Sequence, residues 1–403
     1  MNLKRPLQLF LTSATDALVD KIYKGKGIMK FDFNMPARLY FGENAVMSAK
    51  EEFKGYRHAL IVTGARSAKL SGALGDITDI LEKCGVGYTV FDKIGENPRL
   101  SVCFEGGEVA RRKGADLVIG IGGGSPLDAS KAIAAFGANA DLAKDDIFTE
   151  SINKMLPIIL VTTTAGTGSE ANNYSVLTVD EDNVKKTFKN SLSYAKAAIL
   201  DPKYTYTLGY DYTISTALDA FCHCIESYLS PKSTDISQMF ALYGAKKIWN
   251  AFGAIKNNPD SLKDTGDLTV RAIRQDLMAA ACAGGIAINE TGTGFPHPLG
   301  YSLTLYSGIP HGKACAAFTG EYIKYNMKTE KGAKKLYAFA SHLETSIEEI
   351  AEVIPEIANV KLKLAEKEKT AYIDAVSTAA NYSNSPYVIS QDEMHLIYDR
   401  LFI

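Results

Sequence analysis

Three of the chain's six histidines fall between residues 223 and 311, each among residues that could hold an imidazole in place. Asp219 and His223 are four apart in 215–228, a stretch that reads as helix, so both side chains leave one face a turn apart. His297 lies in 294–300 (GFPHPLG) and His311 in 308–312 (GIPHG), and both segments read as rigid Pro/Gly loops. Each histidine alone is ordinarily a satisfied core or loop residue. Together, three imidazoles and one carboxylate suit a borderline divalent ion, Fe²⁺ or Zn²⁺, whereas Mg²⁺ and Ca²⁺ ask for more oxygens. A cysteine-free set of this kind leaves a position for an outside oxygen, where the ion can polarise a carbonyl or lower the pKa of an alcohol. His58, His342 and His395 have no comparable surroundings.

A second feature is the run Gly122-Gly123-Gly124-Ser125-Pro126, which joins an apolar strand to a helical stretch. Successive glycines let backbone N–H groups approach an anion, and proline suits the first helical turn, whose free amides favour phosphate. Ser125 stands where a G-x-G-x-x-G fingerprint has its third glycine, and no Gly-Lys-Ser/Thr follows, so this is not a P-loop. A tight turn without a ligand is the bland alternative. Residues 162–170 (TTTAGTGSE) form another hydroxyl- and glycine-rich turn after the next strand, where open α/β sheets bind ligands. A phosphate-binding turn and a polarising ion combine naturally in hydride transfer. No G-x-S-x-G elbow or Cys/His signature suggests a hydrolase.

The elements that must position these residues change type along the chain. Between 29 and 202, short apolar runs at 59–63, 88–91, 116–121, 156–163 and 197–200 alternate with helical stretches near 71–84, 102–113 and 130–136, the pattern of a helix-covered parallel sheet. Residues 175–183 read as one arm and the turn of a hairpin. Beyond Tyr212 the texture turns Ala-, Leu-, Lys- and Glu-rich without strand alternation, which predicts an all-helical half and a boundary near 202–212. A cleft between the halves is the expected ligand site.

Composition sets the class. With 46% apolar and 22% charged residues the chain is globular, and a net charge of −2 gives no footprint for nucleic acid or an anionic membrane. No apolar run is long enough for a membrane span, and residues 1–28 read as an N-terminal extension rather than a signal peptide. Six cysteines without a regular framework fit a reducing, cytoplasmic setting, with Cys222 and Cys224 as small buried hydrophobes.

These motifs, in this order and with Asp201-Pro202 and Glu226 among them, resemble the iron-containing alcohol dehydrogenase family near its butanol- and propanediol-type members, from about residue 31 onward. The resemblance implies an α/β N-terminal dinucleotide-binding domain with a parallel sheet (29–207) and an all-α C-terminal metal-binding domain (208–403), an architecture shared with dehydroquinate synthase. It also implies Asp219, His223, His297 and His311 as ligands of Fe²⁺ or Zn²⁺. Cofactor contacts are implied for Gly122, Gly123, Gly124, Ser125, Asp128, Thr163, Thr164, Thr167 and Lys186. Hydride would pass between a nicotinamide and a small primary alcohol or aldehyde, with no side-chain base assigned, in a homodimer or larger homo-oligomer.

Three positions depart from that pattern. Tyr301 stands where the family often has a second histidine, and residues 1–28 have no counterpart. Gly64 replaces the acidic residue of NAD-specific members; with Arg66 and Lys69 nearby, this favours NADP over NAD. A glycerol dehydrogenase-like enzyme would share the ligands. A dehydroquinate synthase-like lyase would need a basic pocket, yet near residues 219–228 and 297–311 Lys313 is the nearest cation in sequence. A nucleotide-binding module without chemistry would not need all four ligands.

Overall fold

Five of the six strands in the main sheet arise from the apolar runs just described. The computed structural model describes residues 31–149, 151–181, 183–255 and 258–402, so the expected extension at 1–28 lies outside the described residues. Among the described residues, those from Met35 onward form one compact unit, which carries every feature below.

The sheet is parallel throughout, in the order β1 (Arg38–Phe41), β8 (Ala197–Leu200), β5 (Ile158–Thr162), β4 (Leu117–Gly122), β2 (His58–Thr63), β3 (Gly87–Phe91). Strand parity divides its core into two layers. Leu60, Val62, Val118 and Leu160 face one way, toward Cys103, Ile133 and Phe136, while Ile61, Ile119, Ile121 and Val161 face the other, toward Ile77, Ile80 and Leu81. Covering both faces is what a parallel sheet requires, and it explains why the inner strands read as continuous apolar runs. The two-stranded hairpin β6 (Tyr174–Thr178) and β7 (Lys185–Lys189) stands apart from this sheet.

Among the described residues, the helices of six or more residues are α1 (Ala73–Cys84), α2 (Leu100–Lys113), α3 (Gly124–Ala138), α4 (Tyr210–Leu229), α5 (Asp235–Ile255), α6 (Leu268–Thr291), α7 (Pro296–Ser307), α8 (His311–Ala316), α9 (Thr319–Asn326), α10 (Glu330–Leu343), α11 (Ile347–Ala358), α12 (Glu366–Asp374) and α13 (Gln391–Leu401). Beyond Leu200 no described residue lies in a strand. Helix α4 is buried without a break from Ala217 to Leu229, so it is the axis of the helical half rather than an amphipathic surface helix.

Two expectations are corrected. His297 and His311 do not lie on loops: His297 is in the first turn of α7, and His311 is the first residue of α8. The prolines before them, Pro296 at the helix start and Pro310 at the N-cap, act as helix starters rather than loop punctuation. Strand β1 was not expected at all. It has only four residues with no apolar alternation, and it is ordered by its ladder to β8.

Candidate active site

The glycine run behaves as a close-approach turn. Gly122 has φ +152°, and a Cβ there would stand 2.6 Å from Pro126 Cγ. A Cβ at Gly124, the first residue of α3, would stand 2.6 Å from Thr167 Cγ2, and one at Gly123 would stand 3.1 Å from Thr164. The two turns therefore abut at the carboxyl ends of β4 and β5. No side chain caps the start of α3, so its first amides are available to an anion.

Facing these turns is a cavity of about 300 Å³ lined by residues of both halves, among them Gly124, Ser125, Asp128, Thr167, Lys185, Asp219, His223, His297, Tyr301 and His311. Gly122, Gly123, Thr163 and Thr164 are not among its lining residues. Both oxygens of Asp128 are engaged, Oδ1 by the Ser169 hydroxyl at 2.6 Å and Oδ2 by the Val176 amide at 2.9 Å, so this carboxylate ties α3 to the second turn and to the hairpin. Its neighbour Lys131 is wholly buried and donates to Ser169, Asn172 and Tyr174, which fixes the same junction.

Lys186, an expected cofactor contact, is not among the residues that line the cavity. Its ammonium lies over the ring of Phe148, 5.8 Å from the centroid, while Lys185 lines the cavity with its ammonium 4.8 Å from the centroid of Tyr301. Strand parity gives the reason: Lys186 shares a face with buried Phe188, whereas Lys185 and Thr187 share the opposite one. Lys313, the nearest cation in sequence, instead pairs with Asp211 at 3.2 Å. Gly64 follows β2 and does not line the cavity. A Cβ there would meet the Ile94 carbonyl oxygen at 3.1 Å.

The four expected ligands do converge. Asp219 Oδ1 lies 3.7 Å from His223 Nε2, 3.5 Å from His297 Nε2 and 3.7 Å from His311 Nε2. These spacings are too long for hydrogen bonds. Donors bound tetrahedrally to one ion at about 2.0–2.2 Å would lie about 3.3–3.6 Å apart, close to what is seen. Asp219 Oδ1 and His297 Nε2 are buried with no hydrogen-bond partner, as polar atoms awaiting an ion would be. The donor set thus fits a divalent transition ion. Burial alone would raise the Asp219 carboxyl, but the three imidazoles outweigh it and hold this group well below the usual carboxylate range. Burial pushes His223 down to about 4 and His311 well below its ordinary value, whereas at His297 the carboxylates of Glu226 and Asp219 outweigh burial and push the ring up to about 9.

Sequence reasoning assigned no role to two neighbours. Glu226, two turns beyond Asp219 on α4, places Oε1 2.8 Å from His297 Nδ1. Cys315, one turn beyond His311 on α8, places Sγ 3.7 Å from His311 Nδ1 and 3.8 Å from Nε2, and its sulfur clusters with donor atoms of Asp219, His297 and His311. The i, i+4 spacing of His311 and Cys315 was the available signal. Tyr301 stacks on His311, with ring centroids 5.6 Å apart, and also lies beneath the Lys185 ammonium.

A parallel-sheet half carrying a glycine turn, joined by a shared cavity to a helical half carrying an Asp/His₃ cluster, defines a nucleotide-linked oxidoreductase of the metal-containing type. Residues 36–202 match the family model for iron-containing alcohol dehydrogenase, and residues 213–401 match that for the C-terminal part of the same family. The chain belongs to the iron-containing alcohol dehydrogenase family. It is 30% identical over 325 residues to alcohol dehydrogenase 4 of Saccharomyces cerevisiae, which covers 80% of this chain and 82% of that protein. To NADH-dependent butanol dehydrogenase A of Clostridium acetobutylicum it is 29% identical over 320 residues, 78% and 79% of the two chains. The crystal structure of an iron-containing alcohol dehydrogenase from Thermotoga maritima matches with a TM-score of 0.84 and 30% identity, covering 93% of this chain and 99% of that one.

Proposed function

We propose that the protein is a metal-dependent, NAD(P)-linked alcohol dehydrogenase or aldehyde reductase acting on a small primary alcohol or aldehyde, with Asp219, His223, His297 and His311 as the metal ligands. The observation that carries this reading is the convergence of three imidazole nitrogens on one buried carboxylate oxygen, with no hydrogen bonds among them, in the lining of the same cavity that Gly124 and Ser125 line. When bound, the ion supplies a Lewis acid for the substrate oxygen, and the nicotinamide gives or takes the hydride. The chain's own part is binding and exclusion. The amides of Gly124 and Ser125 open α3 toward a pyrophosphate, Lys185 and Thr187 line the cavity from the hairpin, and Val176, Ile288 and Pro98 add apolar wall that keeps water out.

Domain limits of 29–207 and 208–403 belong to the same reading, as do a homodimeric or larger assembly and a cytoplasmic setting. No helix among the described residues is long and apolar enough to cross a membrane, and the six cysteines are free. The test is anaerobic reduction of butyraldehyde by metal-stripped protein, followed by NADPH or NADH absorbance before and after adding Fe²⁺ or Zn²⁺. Turnover restored by either ion supports the reading. No turnover despite tight dinucleotide binding would point to another reaction.

NADP is favoured over NAD because Gly64 presents no carboxylate to a 2′-phosphate, and Arg66 nearby is exposed with no ion pair among the described residues. Lys69 is less free, paired with Asp92 at 3.7 Å. Gly64→Asp should therefore shift the ratio of kcat/KM for NADPH over NADH toward NADH by about 10-fold or more, equivalent to about 1.4 kcal/mol. An unchanged ratio would remove Gly64 from the selectivity argument.

A further inference from the structure

Glu226 is wholly buried, yet it stands outside the four-residue ligand set. Its two oxygens meet two donors: Oε1 lies 2.8 Å and Oε2 3.0 Å from His297 Nδ1, and Oε2 accepts the Gly294 amide at 2.6 Å. A backbone amide can only donate, so this carboxylate is turned toward N–H groups on both sides. It clamps the segment entering α7 at Gly294 and again at the ring it carries, His297. The other ring nitrogen, Nε2, then faces Asp219 Oδ1, 3.5 Å away.

The other two imidazoles have no such partner. His311 Nδ1 has the Thr304 hydroxyl at 3.4 Å, and His223 Nδ1 is buried without a hydrogen bond. Among the described residues, His297 is thus the ligand imidazole held by a carboxylate from outside the set. A charge argument points the same way. A divalent ion on one carboxylate and three neutral imidazoles leaves a net charge of +1 in a buried site, and one further carboxylate at close range offsets it.

We propose that Glu226 is a positioning residue of the metal centre, which fixes the orientation of His297 and brings a second carboxyl group close to the ion's place. The inference rests on the ligand reading above. Glu226→Gln keeps the volume but sets an amide N–H against either the His297 N–H or the Gly294 amide; Glu226→Asp keeps the charge on a shorter arm.

The experiment titrates the metal-stripped wild type and both variants with Co²⁺ against a competing chelator at fixed pH. The visible d–d absorption of the bound ion is recorded, dinucleotide affinity is measured in parallel, and so is the melting temperature of the stripped protein. The expected result is about 10- to 100-fold weaker Co²⁺ binding by Glu226→Gln with an altered d–d spectrum, partial recovery in Glu226→Asp, and dinucleotide affinity within about twofold of wild type in both. Wild-type Co²⁺ affinity in Glu226→Gln would overturn the assignment. So would a loss of Co²⁺ affinity matched by equal losses in dinucleotide affinity and melting temperature, which would make Glu226 a general structural residue. If Glu226→Gln does not fold, Glu226→Asp decides by the same criteria. Failure of the ligand reading looks different: the wild type itself would then take up no stoichiometric Co²⁺.

Discussion

Replacing His311 by alanine is expected to lower metal-dependent turnover by at least about 10³-fold, about 4 kcal/mol of transition-state stabilisation, while dinucleotide affinity stays within about threefold. The selectivity follows from where this ring sits. It opens α8 in the helical half, it is the most exposed of the four ligand side chains at 28%, and its contacts are the cluster, Tyr301, Thr304 and Cys315. Alanine is a good helix former, and Pro310 still starts the helix, so little of the fold depends on the imidazole. The glycine turn opens α3 in the other half, and its closest packing is against Pro126, Thr164 and Thr167 rather than α8. Metal content, steady-state turnover and dinucleotide titration on the same preparation provide the check. Wild-type turnover would overturn the ligand set, and joint loss of metal and dinucleotide binding would show that the variant had lost more than a ligand.

Much of this was legible because burial leaves a simple imprint. The runs at 59–63, 116–121, 156–163 and 197–200 became β2, β4, β5 and β8 within one or two residues, since strands covered on both faces are apolar throughout. The Asp219 and His223 pairing needed only the helical period, and α4 supplied it. What escaped the sequence depended on partners remote along the chain or on parity. Strand β1 gains its order from β8, roughly 160 residues later, and has no pattern of its own. Glu226 meets His297 across 71 residues. Lys185 and Lys186 differ by one position, and in a strand one position exchanges the two faces, so spacing alone does not say which of them meets the cavity.

Gly312→Ala is expected to be the most damaging small substitution in the helical half, although it adds one methyl group beside a ligand and leaves all four ligands in place. A Cβ at Gly312 would fall within the carbonyl oxygen of Ser215 and 2.8 Å from the amide of Asp219, both on α4. Neither atom can swing aside as a flexible side chain could, because both belong to a helix backbone buried along most of its length. Helices α8 and α4 would have to separate, and that gap is the one His311 and Asp219 span at 3.7 Å. Overpacking against backbone costs about 3 kcal/mol, at the upper end for such insertions, and should lower the melting temperature by roughly 5 °C or more. Metal content should fall with it, since a shift of a few tenths of an ångström at two of four ligands spoils the site. The same change at Gly75 in α1, exposed and with open space where its Cβ would go, should instead be neutral or stabilise by about 0.5–1 kcal/mol, the gain expected when alanine replaces glycine within a helix. Opposite signs from the same chemical change would show that the close contact of α8 with α4, rather than glycine content, sets the geometry of the metal site. If Gly312→Ala melted with the wild type and kept its metal, the two helices would be free to separate, and the rigid placement of His311 assumed for the site would be wrong.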